Sequence, residues 1–145
     1  RCTVPNQVAL RTTDTVDMTR LVRTALRLRP DRIIVGEVRG AEALAMLKAW
    51  NTGHPGGVAT VHSNNAHAGL IRLEQLVQEA NVPPQPALIA EAIELIVVIV
   101  RTPTGRKITE LARVRGASSS GYALEHIEPA VNESAPQLQR FVVAA

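Results

Sequence analysis

The chain has 145 residues, 46% apolar and 20% charged, which fits one ordinary globular domain and excludes a disordered or fibrous class. Its single cysteine, Cys2, rules out an internal disulfide and favours a reducing, cytoplasmic setting, and its longest strongly apolar run, 95–100, falls far short of the ~20 residues of a membrane-spanning helix. The net charge of +3 is unevenly spread, with nine basic and five acidic side chains over 1–51, five against one over 101–115, and a net negative stretch between.

Val4 to Leu10 reads as a short strand. A helix follows, its apolar residues Met18, Leu21, Val22, Ala25 and Leu26 at helical spacing, with Thr13, Asp14 or Thr15 as its cap and Pro30 as its stop. Arg20, Arg23 and Arg27 lie along one side of it. The β-branched run from Arg32 to Val35 has no polar alternation, the pattern of a parallel strand buried on both faces, and it ends at Gly36 and Glu37. A second helix covers about 41–51 and finishes near Gly53, a natural left-handed cap. A Pro-Gly-Gly turn then opens another buried-type strand, 58–61, which closes on His62 and Ser63.

A third helix, about 66–80, is amphipathic through Leu70, Leu73, Leu76 and Val77. Pro83, Pro84 and Pro86 break the chain before a fourth helix over roughly 88–94. The strand 96–100 and the turn at Pro103, Thr104 and Gly105 lead into 107–114 as a hairpin. Residues 118–121 read as a loop, 122–127 as an edge strand, and the stretch beyond Pro129 as a loosely ordered tail. Strands alternating with helices predict an α/β layered sheet.

In open α/β sheets, ligands bind beyond the carboxyl ends of the strands, which selects Gly36 to Arg39 and His62 to Asn64. Glu37, projected from a strand end, can hold a metal-bound water or orient a nucleophilic one; equally, it can simply end the strand and pair with Arg39 or Arg32. Arg39 can neutralise phosphate charge. The spacings of His54, His62 and His67 match no helical metal-ligand pair, so a zinc site is not expected. His62 suits a hydrogen-bonding sensor of a terminal phosphate, and His126 reads as incidental. With only Trp50, Tyr122 and Phe141 as aromatics, stacking on bases has almost no side chains to use.

The runs Leu26-Arg27-Leu28-Arg29-Pro30-Asp31, Ile34-Val35-Gly36-Glu37-Val38-Arg39, Thr52-Gly53-His54-Pro55-Gly56, Thr60-Val61-His62-Ser63 and Arg72-Leu73, in that order, resemble the ATPase superfamily of type II and type IV secretion systems. The resemblance covers about residues 1–115, and the stretch from Asn51 to Thr60 is most similar to TrbB-type conjugative-transfer ATPases. It implies a RecA-like P-loop NTPase core fragment, a mostly parallel sheet flanked by helices with a C-terminal hairpin. Residues 1–115 would be the rear of that domain, and 116–145 an edge strand and tail.

By the same resemblance, Glu37 takes the place of the water-activating glutamate after the Walker B strand and holds Mg²⁺ through water. His62, in the His box, relays the state of the γ-phosphate. Arg11, at the far end of an Asp box, joins Arg39 and His54 as nucleotide-binding residues. The cofactors implied are ATP and Mg²⁺. The implied assembly is a homohexameric ring on the cytoplasmic face of the inner membrane, bound to secretion or conjugation machinery and associated with DNA only indirectly.

The string G-x-x-x-x-G-K-[ST], which cradles phosphates with backbone N–H groups and a lysine, does not occur in these residues, so the chain by itself is expected to be inactive. The chain opens with Arg1 rather than Met, and the natural start is expected upstream. Two other classes remain open: a non-catalytic assembly module that keeps the sheet, and a basic DNA-binding domain using the arginines of the first helix.

Overall fold

The computed structural model describes residues 4–54 and 56–128, together with the backbone of 140–144. Its elements run α1 (Met18–Arg27), β1 (Ile34–Val35), α2 (Glu42–Asn51), β2 (Gly57–Val61), α3 (Ala66–Gln78), α4 (Pro86–Ala92), β3 (Leu95–Thr102), β4 (Gly105–Ser118), β5 (Gly121–His126) and β6 (Arg140–Ala144). One six-stranded sheet takes the order β1-β2-β6-β3-β4-β5. The first four strands in that order are parallel, so their carboxyl ends share one rim; β4 and β5 extend the sheet as antiparallel hairpins.

The helices form where periodicity and caps agree. Asp17, rather than the earlier Thr-Asp-Thr cluster, caps α1 by accepting from Arg20 N at 2.7 Å, and α1 stops before Arg29, which takes a positive φ of 50° just ahead of Pro30. Asn65 caps α3, accepting from Ala68 N at 2.8 Å. The expected stripe of Leu70, Leu73, Leu76 and Val77 is fully buried against the other helices and one face of the sheet. Proline at the first position of α4 has no N–H to waste there, so that helix starts at Pro86, earlier than the sequence pattern places it.

Three expectations are corrected. Residues 4–10 form no strand; Val4, Val8 and Leu10 are exposed and have no neighbour to pair with among the described residues. The run at 32–35 is not a strand buried on both faces: β1 is a two-residue strand that, among the described residues, pairs only with β2, with Val35 buried and Ile34 61% exposed. Finally, the edge strand expected over 122–127 is present as β5 at the outer end of the sheet, but β4 runs past residue 116 to Ser118, and 140–144, expected as loose tail, adds β6 in the middle of the sheet, between β2 and β3. The remainder of the tail, 129–139, lies outside the described residues.

The glycines around β2 have distinct physical reasons. Gly53 and Gly56 take positive φ values of 93° and 81°, conformations other residues adopt only with strain. Gly57 instead permits contact: a Cβ there would lie 2.2 Å from the ring of Trp50, whose Nε1 donates to Ile33 O at 3.1 Å. Trp50 thus locks α2, the approach to β1 and the start of β2 together beneath the rim.

Candidate active site

β1 and β2 are in register through Ile34↔Val58 and Val35↔Ala59. Two further bonds extend that pairing: Thr60 Oγ1 donates to Gly36 O at 2.6 Å, and Val38 N donates to Thr60 O at 2.9 Å. The two strands therefore deliver Glu37 and His62 to the same rim, where His62 Nε2 lies 2.9 Å from Glu37 Oε1. The other carboxylate oxygen, Oε2, accepts from the Arg39 guanidinium at 2.5 Å. Arg39 is fixed from behind, since its own N–H and that of Gly40 donate to Glu42 Oε1 at 2.7 and 3.1 Å at the start of α2.

The resulting Arg39–Glu37–His62 group is asymmetric in exposure: the outer two side chains are 77% exposed and the central carboxylate 26%. The Arg39 hydrogen bond holds the Glu37 carboxyl below the ordinary carboxylate range, with burial opposing and the charges of Arg39 and His62 assisting. Reciprocally, Glu37 raises Arg39, so the pair is ionised throughout the neutral range. Glu37 is poised as an anion at the rim: Oε2 is bonded to Arg39, while Oε1, 2.9 Å from His62 Nε2, is buried without a well-formed hydrogen bond among the described residues.

The other two sequence-selected residues are not part of this group. His54 precedes β2, at its opposite end, and its Nδ1 meets Ala49 O at 3.2 Å, which serves the end of α2. At about 3.3 Å per residue, the five residues of β2 put roughly 16 Å between that end and the rim. Arg11 lies in the exposed extended segment ahead of α1. Among the described residues, no three His, Cys, Asp or Glu side chains converge as a metal cage.

A cleft of about 690 Å³ opens beside His62, lined also by Ser63 and Asn64, by Ala68 and Arg72 of α3, and by the end of β3 from Val98 to Arg101. No motif in the sequence singles out these β3 residues, nor Glu110, whose Oε2 accepts from Ala66 N at 2.8 Å and whose Oε1 meets His126 Nε2 at 2.7 Å, tying the β4–β5 hairpin to the start of α3. His126 is therefore a structural partner rather than incidental, a role that only the nonlocal pairing of β4 with β5 creates.

With this geometry established, comparison with known proteins defines the class. The family model described as "Type II/IV secretion system protein" matches residues 2–135, and the chain belongs to that family of secretion ATPases. Within it the chain is of the TrbB type. It is 54% identical over 125 residues to the "Probable conjugal transfer protein TrbB" of Sinorhizobium fredii, covering 86% of this chain and 38% of that one. It is 53% identical over 126 residues to the "Conjugal transfer protein TrbB" of Rhizobium radiobacter, covering 87% and 39%. The chain thus spans less than two-fifths of the length of these relatives. Among solved structures, the VirB11 ATPase of the Brucella suis type IV secretion system, in complex with sulphate, matches with a TM-score of 0.61 and 25% identity over 68% of this chain and 32% of that one. The mixed sheet is accordingly a fragment of the ATPase fold, and its membership is in a family of conjugation and secretion motors. No helix among the described residues is long and apolar enough to cross a membrane.

Proposed function

We propose that this chain supplies the water-activating carboxylate, Glu37, and the phosphate-sensing imidazole, His62, of a motor ATPase that powers conjugative DNA transfer or type IV secretion. The observation that carries this reading is the 2.9 Å approach of Glu37 and His62 from two parallel strands at one carboxyl rim. An ionised carboxylate there can accept a proton from an attacking water, and an imidazole in contact with it couples that carboxylate to the charge of a terminal phosphate. Arg39 holds the carboxylate between turnovers. His54 and Arg11, given nucleotide contacts by resemblance, are left out of the working set.

ATP and Mg²⁺ are the expected cofactors. The donor set fits the metal only through water, because Glu37 is the single carboxylate at the rim group and no three ligating side chains converge among the described residues. Direct metal and phosphate contacts fall to a phosphate loop, a string these residues do not contain. The 145 residues alone are therefore expected to turn over no measurable ATP. The working assembly is a homohexameric ring, cytoplasmic and peripheral to the inner membrane, engaged with the transfer machinery.

The test is a chimera in which the matching 126 residues of the Rhizobium radiobacter protein are exchanged for this chain. The chimera should support plasmid transfer, and Glu37→Gln and His62→Ala should each reduce transfer at least 100-fold at equal protein level. Transfer that is indifferent to both substitutions would leave the chain as a non-catalytic assembly module.

A further inference from the structure

We infer that Glu110 of β4 is a positioning residue for His62: its carboxylate takes the first amide of α3 and so fixes the loop 62–65, and His126 of β5 fixes the carboxylate in turn. His62 leaves β2 just after Val61, and Ala66, the first residue of α3, follows four residues later. Val61 and Ala66 are both buried, whereas the His62 side chain is 77% exposed, so packing does little to place its ring and the backbone on either side decides where it stands. The β2 side of that backbone is held by the bonds of Thr60 to Gly36 O and Val38 N. The α3 side is held by Glu110.

The first amides of a helix have no intrahelical acceptor, and a capping side chain reaches only the amides two or three residues past it. Asn65 does this for α3: its Oδ1 accepts from Ala68 N at 2.8 Å, while its carbonyl oxygen accepts from Gly69 N at 3.0 Å and from Ser63 Oγ at 3.1 Å. The amide of Ala66, one residue past the cap, is left to Glu110 Oε2 at 2.8 Å, a partner 44 residues further along the chain. Ala66 is fully buried, so bulk water cannot stand in for the carboxylate. A negative charge is also favoured at this end of a helix.

A β-bulge aims Glu110 at that amide. Val98 pairs with Glu110 and Ile99 with Ile108, which leaves Thr109 without a register partner on β3. The extra residue puts Glu110, rather than Thr109, opposite Val98, whose side chain is part of the buried core. With strict alternation Glu110 would share the exposed face of Ile108. His126 pairs with Ala112, two positions along β4 from Glu110, and its Nε2 lies 2.7 Å from Glu110 Oε1. Glu110 is the one acidic residue between 101 and 115, so no neighbouring carboxylate in that stretch can take its place. Leu124 of β5, by contrast, joins the same hairpin to the core through apolar contact alone. The effect on hydrolysis rests on the motor reading; the placement of His62 by Glu110 does not.

Two measurements test this: steady-state ATP turnover of the chimera, and the His62 ring cross-peak in carbon–proton NMR of the chain itself. Glu110→Ala should lower kcat at least tenfold, roughly the effect of a small misplacement, with KM for Mg·ATP within about twofold, and should shift the His62 cross-peak. Glu110→Gln keeps an oxygen for Ala66 N and should hold kcat within about threefold of the parent. His126→Ala frees the carboxylate without removing it and should lower kcat about threefold with a smaller shift of the same cross-peak. Leu124→Ala loosens the hairpin elsewhere and should leave both kcat and the cross-peak unchanged. An unmoved His62 cross-peak in Glu110→Ala, or equal kcat losses in Glu110→Ala and Leu124→Ala, would overturn the inference. So would parental kcat in Glu110→Ala where Glu37→Gln abolishes turnover. If Glu110→Ala does not fold, the exposed His126→Ala carries the test, and parental kcat with an unmoved cross-peak there is the contrary result. A shifted cross-peak in Glu110→Ala, with turnover indifferent to Glu37→Gln, would remove the motor reading and leave the placement of His62 standing.

Discussion

Gly57→Ala is the substitution whose cost can be worked most directly from geometry. The added methyl would sit 2.2 Å from Cε2 and Nε1 of Trp50 and 2.8 Å from Cδ1, well inside any tolerated contact. The ring cannot swing away cheaply, because Trp50 is completely buried and its Nε1 is bonded to Ile33 O at 3.1 Å. Forcing an extra methyl into a packed core costs about 1–3 kcal/mol. Breaking the indole bond and leaving Ile33 O without its partner adds about 1–3 kcal/mol. A total of about 2–6 kcal/mol is expected, which for a chain of this size lowers the melting temperature by roughly 4–24 °C. The assay is urea unfolding of wild type, Gly57→Ala, Trp50→Leu and the double variant. Because the clash needs both partners, Gly57→Ala should cost less than half as much in the Trp50→Leu background. A loss under about 0.5 kcal/mol for Gly57→Ala in the wild-type background would refute the reasoning.

Other predictions follow from the same contacts. Arg39→Gln removes the main cause of the lowered Glu37 pKa, so the carboxyl should titrate at higher pH, as read by carbon-detected NMR of its side chain. Since the folded state holds Glu37 below its ordinary value of 4.5, its contribution to stability is complete above that value and is lost as pH falls through the depressed one; Arg39→Gln should flatten this acid loss in unfolding curves taken below pH 4.5. Asn65→Ala deletes the α3 cap and should cost about 1 kcal/mol in urea unfolding.

What could be read in the sequence follows the range of the interactions that decide each element. The stripe of Leu70, Leu73, Leu76 and Val77 is set by local periodicity, and its burial came out as expected. The β3–β4 hairpin was likewise announced by Pro103, Thr104 and Gly105, though its strands run longer than propensity alone indicates because each pairs along its length. Val4 to Leu10 has the composition of a strand but meets no partner strand among the described residues, and composition does not supply one. β6 was invisible because its partners, β2 and β3, lie far away in sequence and the pairing is parallel. For the site, strand ends placed Glu37 and His62 correctly on one rim, while His54, only eight residues before His62, falls at the other end of the same short strand. The Gly56-Gly57 pair was legible as a turn, but the reason for Gly57, a tryptophan ring against the backbone, needed the tertiary contact.

The account turns on whether the rim carboxylate drives hydrolysis, and steady-state ATP turnover of the purified chimera measures this most directly. Glu37→Gln keeps the shape and removes the proton acceptor, so turnover should fall about 10²- to 10⁴-fold while Mg·ATP affinity stays within about threefold. A variant that hydrolyses ATP at the parent rate would contradict the assignment of Glu37 and, with it, the motor mechanism built on the Glu37–His62 pair.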